Sequence, residues 1–167
     1  MSAFPHQVTR LVLDVDASFD DFRDRYEAAV PTFDINDLSV FQGWDSVLER
    51  TAELAPHGFL LYGRIDVGPL MRIAGHSARC ITYLMGNHTI AETMFRHDPG
   101  IMLYAPLRTV LYEDGQGKAH FAIDQPSTRF ASFGHPDIAA TGRDLDAKLA
   151  ALLAALDVPV PDALTTS

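Results

Sequence analysis

The sequence predicts an α+β domain whose strands pair antiparallel. Three observations carry this reading. Apolar and polar residues alternate with period two in several short segments, as half-buried strands require. A Gly-containing turn, Asp114-Gly-Gln-Gly117, joins two such segments as a hairpin. The last long segment instead repeats apolar residues at spacings of four and three, the stripe of an amphipathic helix. Strands and helices show no sustained βαβ order, which disfavours a Rossmann-type parallel sheet. The 167 residues suit one core, expected over 1–158, with a loose polar tail over 159–167.

The first strand is read over Thr9–Asp16, where Leu11, Leu13 and Val15 alternate with Arg10, Asp14 and Asp16. Ser18 opens a helix, with Asp21 three residues on as in a capping box. Phe19, Phe22, Tyr26 and Val30 follow at helical spacing, and Pro31 stops it. Asp34, Asn36 and Asp37 suggest a loop or a helix start, and Asp45–Ala55 is a second helix. Strands are expected over Phe59–Val67 and Arg79–Met85, with Gly68-Pro69 and Gly75-His76 punctuating the stretch between them. Asn87 or Thr89 caps a short helix that turns Ile90, Met94 and Phe95 inward. Asp98-Pro99-Gly100 breaks it. Met102–Glu113 and Lys118–Asp124 form the hairpin strands, and Ala119, Phe121 and Ile123 share one face. Ser127–Phe133 is a short helical or irregular link. The last helix opens at Pro136 and lines up Ile138, Gly142, Leu145, Leu149, Leu152 and Leu156. Gly142 permits a close approach.

The formal net charge is −9, and the basic residues do not cluster. Phosphate binding needs clustered Lys and Arg, so neither nucleic acid nor an anionic membrane is an expected partner. One cysteine, Cys80, forms no internal disulfide. No apolar run approaches the roughly 20 residues of a membrane helix, and the first residues lack a signal pattern. The expected compartment is the cytoplasm.

Three runs carry a family resemblance: Ile81-Thr-Tyr-Leu-Met-Gly-Asn87, His97-Asp-Pro-Gly-Ile-Met-Leu-Tyr-Ala-Pro-Leu-Arg108 and Val110-Leu-Tyr-Glu-Asp-Gly115. Together they resemble the bacterial family called domain of unknown function 302. The resemblance implies a curved antiparallel sheet of about four to six strands, covered by helices on one face as in the TATA-binding-protein-like class. It also implies a homodimer, and it brings no agreed activity or catalytic residue. The chain departs from the family pattern in three places. His88 stands where a Pro usually follows Gly-Asn, Ile65-Asp66-Val67 stands where Ile-Asp-His is expected, and the segment over 31–55 is longer than usual.

Period two places Tyr104, Pro106, Arg108 and Tyr112 on one face of the fourth strand. The planar guanidinium of Arg108 suits a carboxylate or phosphate. Tyr83 on a neighbouring strand adds a hydroxyl, and Asn87 at the strand's end joins the set. The first functional reading is therefore a small-molecule-binding domain, its ligand a small apolar or aromatic acid. The alternative is a metal-independent isomerase, cyclase or lyase with His76, His97 or Asp66 as acid or base. That alternative requires one of them to enter the same cavity as Arg108. A third reading is haem binding through His97 or His88. None of the seven histidines stands in a metal-ligand spacing, so no metal is expected. His88 and His97 lie on opposite sides of a regular helix, ~13 Å apart along its axis. Cys80 beside Arg79 reads as an inert core thiol, because neighbours on a strand point to opposite faces.

Overall fold

The computed structural model describes residues 2–36, 38–39 and 41–165, so Asp37 lies outside the described residues. Strands β1 (Arg10–Asp14), β2 (Leu60–Asp66), β3 (Cys80–Gly86), β4 (Leu107–Glu113) and β5 (Ala119–Asp124) form one antiparallel sheet in the order β1-β5-β4-β3-β2. The helices are α1 (Phe19–Ala29), α2 (Trp44–Leu54), α3 (Gly68–Ile73), α4 (His88–Phe95), α5 (Pro126–Phe130) and α6 (Pro136–Ala155). The α+β class holds.

Alternation along each strand decides which face is covered. Leu11 and Leu13 of β1, Ile81, Tyr83 and Met85 of β3, Leu107, Thr109 and Leu111 of β4, and Phe121 and Ile123 of β5 are all buried. They meet Phe22 and Tyr26 of α1, Met94 of α4, Phe130 of α5 and Leu145, Leu149 and Leu152 of α6 in one core. The other face carries Val12, His120, Ala122, Arg108, Val110, Tyr112, Thr82, Leu84 and Ile65, all partly or fully exposed.

Local signals explain most boundaries. Ser18 Oγ accepts from the Asp21 amide at 3.1 Å and donates to the Asp21 carboxylate at 2.7 Å, so the cap works in both directions. Asn87 caps α4, accepting from the Thr89 amide at 2.9 Å. In the hairpin, Asp114 Oδ1 accepts from the amides of Gln116 and Lys118, and Gly117 takes φ +78.

Four expectations are corrected. Gly68-Pro69 does more than punctuate the stretch between strands: it starts α3, because proline is tolerated in a first helical turn. The fourth strand begins at Leu107: Asp98 Oδ1 accepts from the Gly100 amide and starts a 3-10 turn over Pro99–Leu103. Phe95 is 47% exposed and does not point inward. The described part of the tail, 159–165, is not loose: Leu164 is buried, and Gln125 Nε2 donates to the Ala163 carbonyl at 2.8 Å.

The close approach at Gly142 is real. A methyl group there would lie 3.1 Å from Phe130 Cβ and 3.1 Å from Ser127 Cα, where α5 crosses α6. Overpacking costs about 1–3 kcal/mol, and replacing a helical glycine returns about 0.5–1 kcal/mol. Gly142→Ala should therefore lose about 1 kcal/mol in urea unfolding; a gain would show that α5 yields freely.

Candidate functional site

An apolar hollow lies at the end of β3, under α4. Gly86 ends β3 and admits Pro106 close by, with 3.4 Å from its would-be Cβ to the Pro106 ring. Ile90, Ala91 and Met94 descend from α4 at helical spacing, and Phe130 and Leu145 close the floor. The hollow spans about 550 Å³, mouth included. A second apolar hollow of about 910 Å³, mouth included, lies between Phe33, Phe41, Trp44 and Val47. The two share Ile35 and His88.

His88 stands at the shared wall. Its Nε2 lies 2.6 Å from Thr51 Oγ1 of α2 and its Nδ1 lies 2.6 Å from Tyr62 Oη of β2. Phe33 packs against the ring at 4.7 Å. Proton counting fixes the tautomer. Thr51 has one hydroxyl proton and gives it to the Val47 carbonyl at 2.7 Å, so it accepts from Nε2–H. A neutral ring then leaves Nδ1 bare, and the Tyr62 phenol donates to it. The phenol oxygen in turn accepts from the His88 amide at 3.0 Å. Burial lowers the His88 pKa, which keeps the ring neutral, and burial pushes Tyr62 up to about 12. The hollow is therefore apolar, with a phenol and a neutral imidazole at one wall.

The Arg108 set divides among different places. Arg108 is exposed on the uncovered sheet face and makes no hydrogen bond or ion pair among the described residues. It borders a shallow hollow with Tyr104, Asp124 and Arg129. Arg129 is ion-paired with Asp124, and its guanidinium lies over the Tyr104 ring at 4.9 Å. Tyr112 shares the face of Arg108 but sits at the far end of β4, stacked on His120 at 5.2 Å. Tyr83 lies on the opposite, covered face: it pairs with Thr109, is fully buried, and sends only its hydroxyl out to Glu27 at 2.7 Å. Tyr104 and Pro106 precede the strand. Asn87 lines the His88 hollow, but its side chain is taken up by the α4 cap and by the Gly58 carbonyl at 3.0 Å.

His76 and Asp66 are exposed. Asp66 accepts from the Gly68 amide at 3.0 Å. His97 lies at the surface, stacked on His135 at 4.2 Å and 3.5 Å from Asp137. None of the three lines the Arg108 hollow or the His88 hollow. Among the described residues, His97, His135 and Asp137 are the group whose ligand atoms gather within 4.8 Å. The two rings stack at 28°, and His135 Nδ1 is used to cap α6. Both nitrogens of His88 are engaged in hydrogen bonds. Cys80 is not the expected core thiol: it pairs with Tyr112 on the uncovered sheet face and is half-buried there, and burial raises its pKa.

Sequence reasoning missed His88, Tyr62 and Thr51 as a unit. The available signal was the departure itself: the unusual histidine after Gly-Asn and the long 31–55 segment meet each other in space.

Among known families, the model of DUF302, a domain of unknown function, matches residues 36–156. No curated protein matches the chain. A crystal structure of an uncharacterized conserved protein, DUF302, from Bacillus stearothermophilus is similar at TM-score 0.64 and 15% identity. The match covers 88% of this chain and 97% of that one. No helix among the described residues is long and apolar enough to cross a membrane.

Proposed function

The chain belongs to the DUF302 family, and from that premise we propose that it binds a small, neutral, mostly apolar molecule in the hollow beneath α4. The observation that carries this reading is an apolar space whose wall holds one satisfied polar relay, Tyr62–His88–Thr51, and no cation. Ligand pockets combine apolar lining with few placed polar groups. Here the Tyr62 oxygen is the group left to meet a ligand donor, since its proton is held by His88. A carboxylate head finds no partner in this hollow, because Arg108 borders a different one.

A thermal-shift panel of neutral aromatic and aliphatic compounds, with the matching carboxylic acids as a second arm, tests the reading. A neutral binder at a hundredfold excess over its Kd should raise Tm by about 5 °C or more. Ala91→Leu, which fills the hollow from α4, should abolish that shift while the variant stays folded. A panel in which only the acids act, or in which Ala91→Leu responds like the parent, overturns the proposal.

A further inference from the structure

The hollow beside Arg108 differs in chemistry from the one under α4. Parity puts Arg10 of β1, Asp124 of β5 and Arg108 of β4 on the uncovered sheet face, since their neighbours Leu11, Ile123 and Thr109 are buried. Register puts the three in one row. Arg10 pairs with Asp124, while Arg108 and Asp124 each stand one place beyond the Thr109–Ile123 pair. Arg129 of α5 takes the Asp124 carboxylate in an ion pair. Neither Arg10 nor Arg108 has an ion pair among the described residues. Three arginines thus adjoin one carboxylate that is already engaged, and two positive charges stand uncompensated on a chain of net charge −9. Like charges gathered in this way repel each other, and a bound anion relieves them.

We propose that this hollow binds a small organic acid, its carboxylate taken by the Arg108 guanidinium and its apolar body laid on Leu84, Leu103 and Pro106. The planar fork of an unpaired arginine matches a carboxylate with two parallel hydrogen bonds. Leu103 is 77% exposed beside that fork, so an acid with an apolar body covers surface that a bare anion leaves wet. The space, about 650 Å³ with its mouth, suits one ring or a short acyl chain. Arg129 is a positioning residue: it holds Asp124, which would otherwise compete for Arg108. The site backs onto the α4 hollow through Pro106 and Leu107 but opens on the other face of the sheet. Each hollow therefore selects its own ligand chemistry, neutral under α4 and anionic here.

Titration of the full chain with benzoate to about 20 mM, followed by amide NMR, should give saturable shifts at Leu103, Arg108 and Arg129 with a Kd of about 1 mM. Benzamide, the same ring without the charge, should leave these resonances in place. Arg108→Gln should weaken benzoate about tenfold or more, whereas Arg143→Gln, at an exposed arginine outside the hollow, should not. Asp124→Asn frees the Arg129 fork for the ligand and should tighten benzoate about threefold. Ala91→Leu should leave benzoate binding unchanged, which separates this site from the one under α4. Shifts that do not saturate, benzamide acting on the same resonances, a Kd indifferent to Arg108→Gln, weaker binding by Asp124→Asn, or loss of benzoate binding in Ala91→Leu overturns the proposal.

Discussion

Truncating Tyr26 to alanine should lower the free energy of unfolding by about 3–5 kcal/mol, the range for deleting a large buried aromatic ring. Tyr26 is fully buried where α1 meets the sheet. Its ring contacts Tyr83 at 5.1 Å, Phe121 at 5.2 Å and Phe22 at 6.3 Å, so α1, β3 and β5 all lose a partner. Its hydroxyl lies 3.0 Å from Thr109 Oγ1 and donates to Met85 Sδ at 3.2 Å. Thr109, also fully buried, then donates to Tyr26, and burial pushes the phenol pKa up, so the group stays neutral. Removing the side chain opens a cavity and strands the Thr109 hydroxyl. Tyr26→Phe separates the two effects: it keeps the ring and should cost only about 1–3 kcal/mol, the penalty of an unpaired buried hydroxyl. Urea unfolding should show both losses as shifts of the midpoint at constant m. A loss under 1 kcal/mol for Tyr26→Ala would mean that α1 closes onto the sheet without this ring.

The strands were legible because one face of each is buried, and burial writes itself into the sequence as period two. Leu11 and Leu13, or Phe121 and Ile123, show this directly. The last helix was legible for the same reason at its own period, and Gly142 announced the crossing of α5. Tyr83 was misread because its hydroxyl suggested a polar face. Its place follows from Ile81 and Met85, which share its parity, and the hydroxyl escapes burial only by reaching Glu27. Tyr104 and Pro106 fall outside the real strand, since the turn after Asp98 hides inside an apolar run, whereas Tyr112 shares the face of Arg108 but stands at the far end of β4. The His88 relay joins α2, β2 and α4, segments separated by 26 and 37 residues. No local pattern encodes such a meeting; only the departure from the family pattern marked the spot.

Replacing His88 by leucine should cost about 1–3 kcal/mol at neutral pH, and the difference from the parent should shrink as the pH falls. The Tyr62 proton and the Thr51 oxygen both lose their partner, and the His88 ring can supply both only in its neutral form. Burial holds the folded-state pKa of His88 below its ordinary 6.5. The unfolded chain therefore binds the proton first on acidification, and stability rises with pH wherever that is so. The contribution of the neutral ring is complete above about 6.5. It declines as the pH drops below that value, until the folded ring is protonated as well. Tyr62, pushed up to about 12, does not titrate in this window. Asp114, held down to about 2 by its hydrogen bond to His120, acts far below it. Groups common to both proteins cancel in the comparison, so unfolding free energies of parent and His88→Leu from pH 7.5 to 5 isolate this ring. The parent should fall more steeply. Parallel curves would mean that the folded protein charges His88 as readily as the unfolded chain does. The relay would then not hold a neutral imidazole, and Nδ1–H would force the Tyr62 proton outward, presenting a ligand with a donor where the neutral state offers an acceptor.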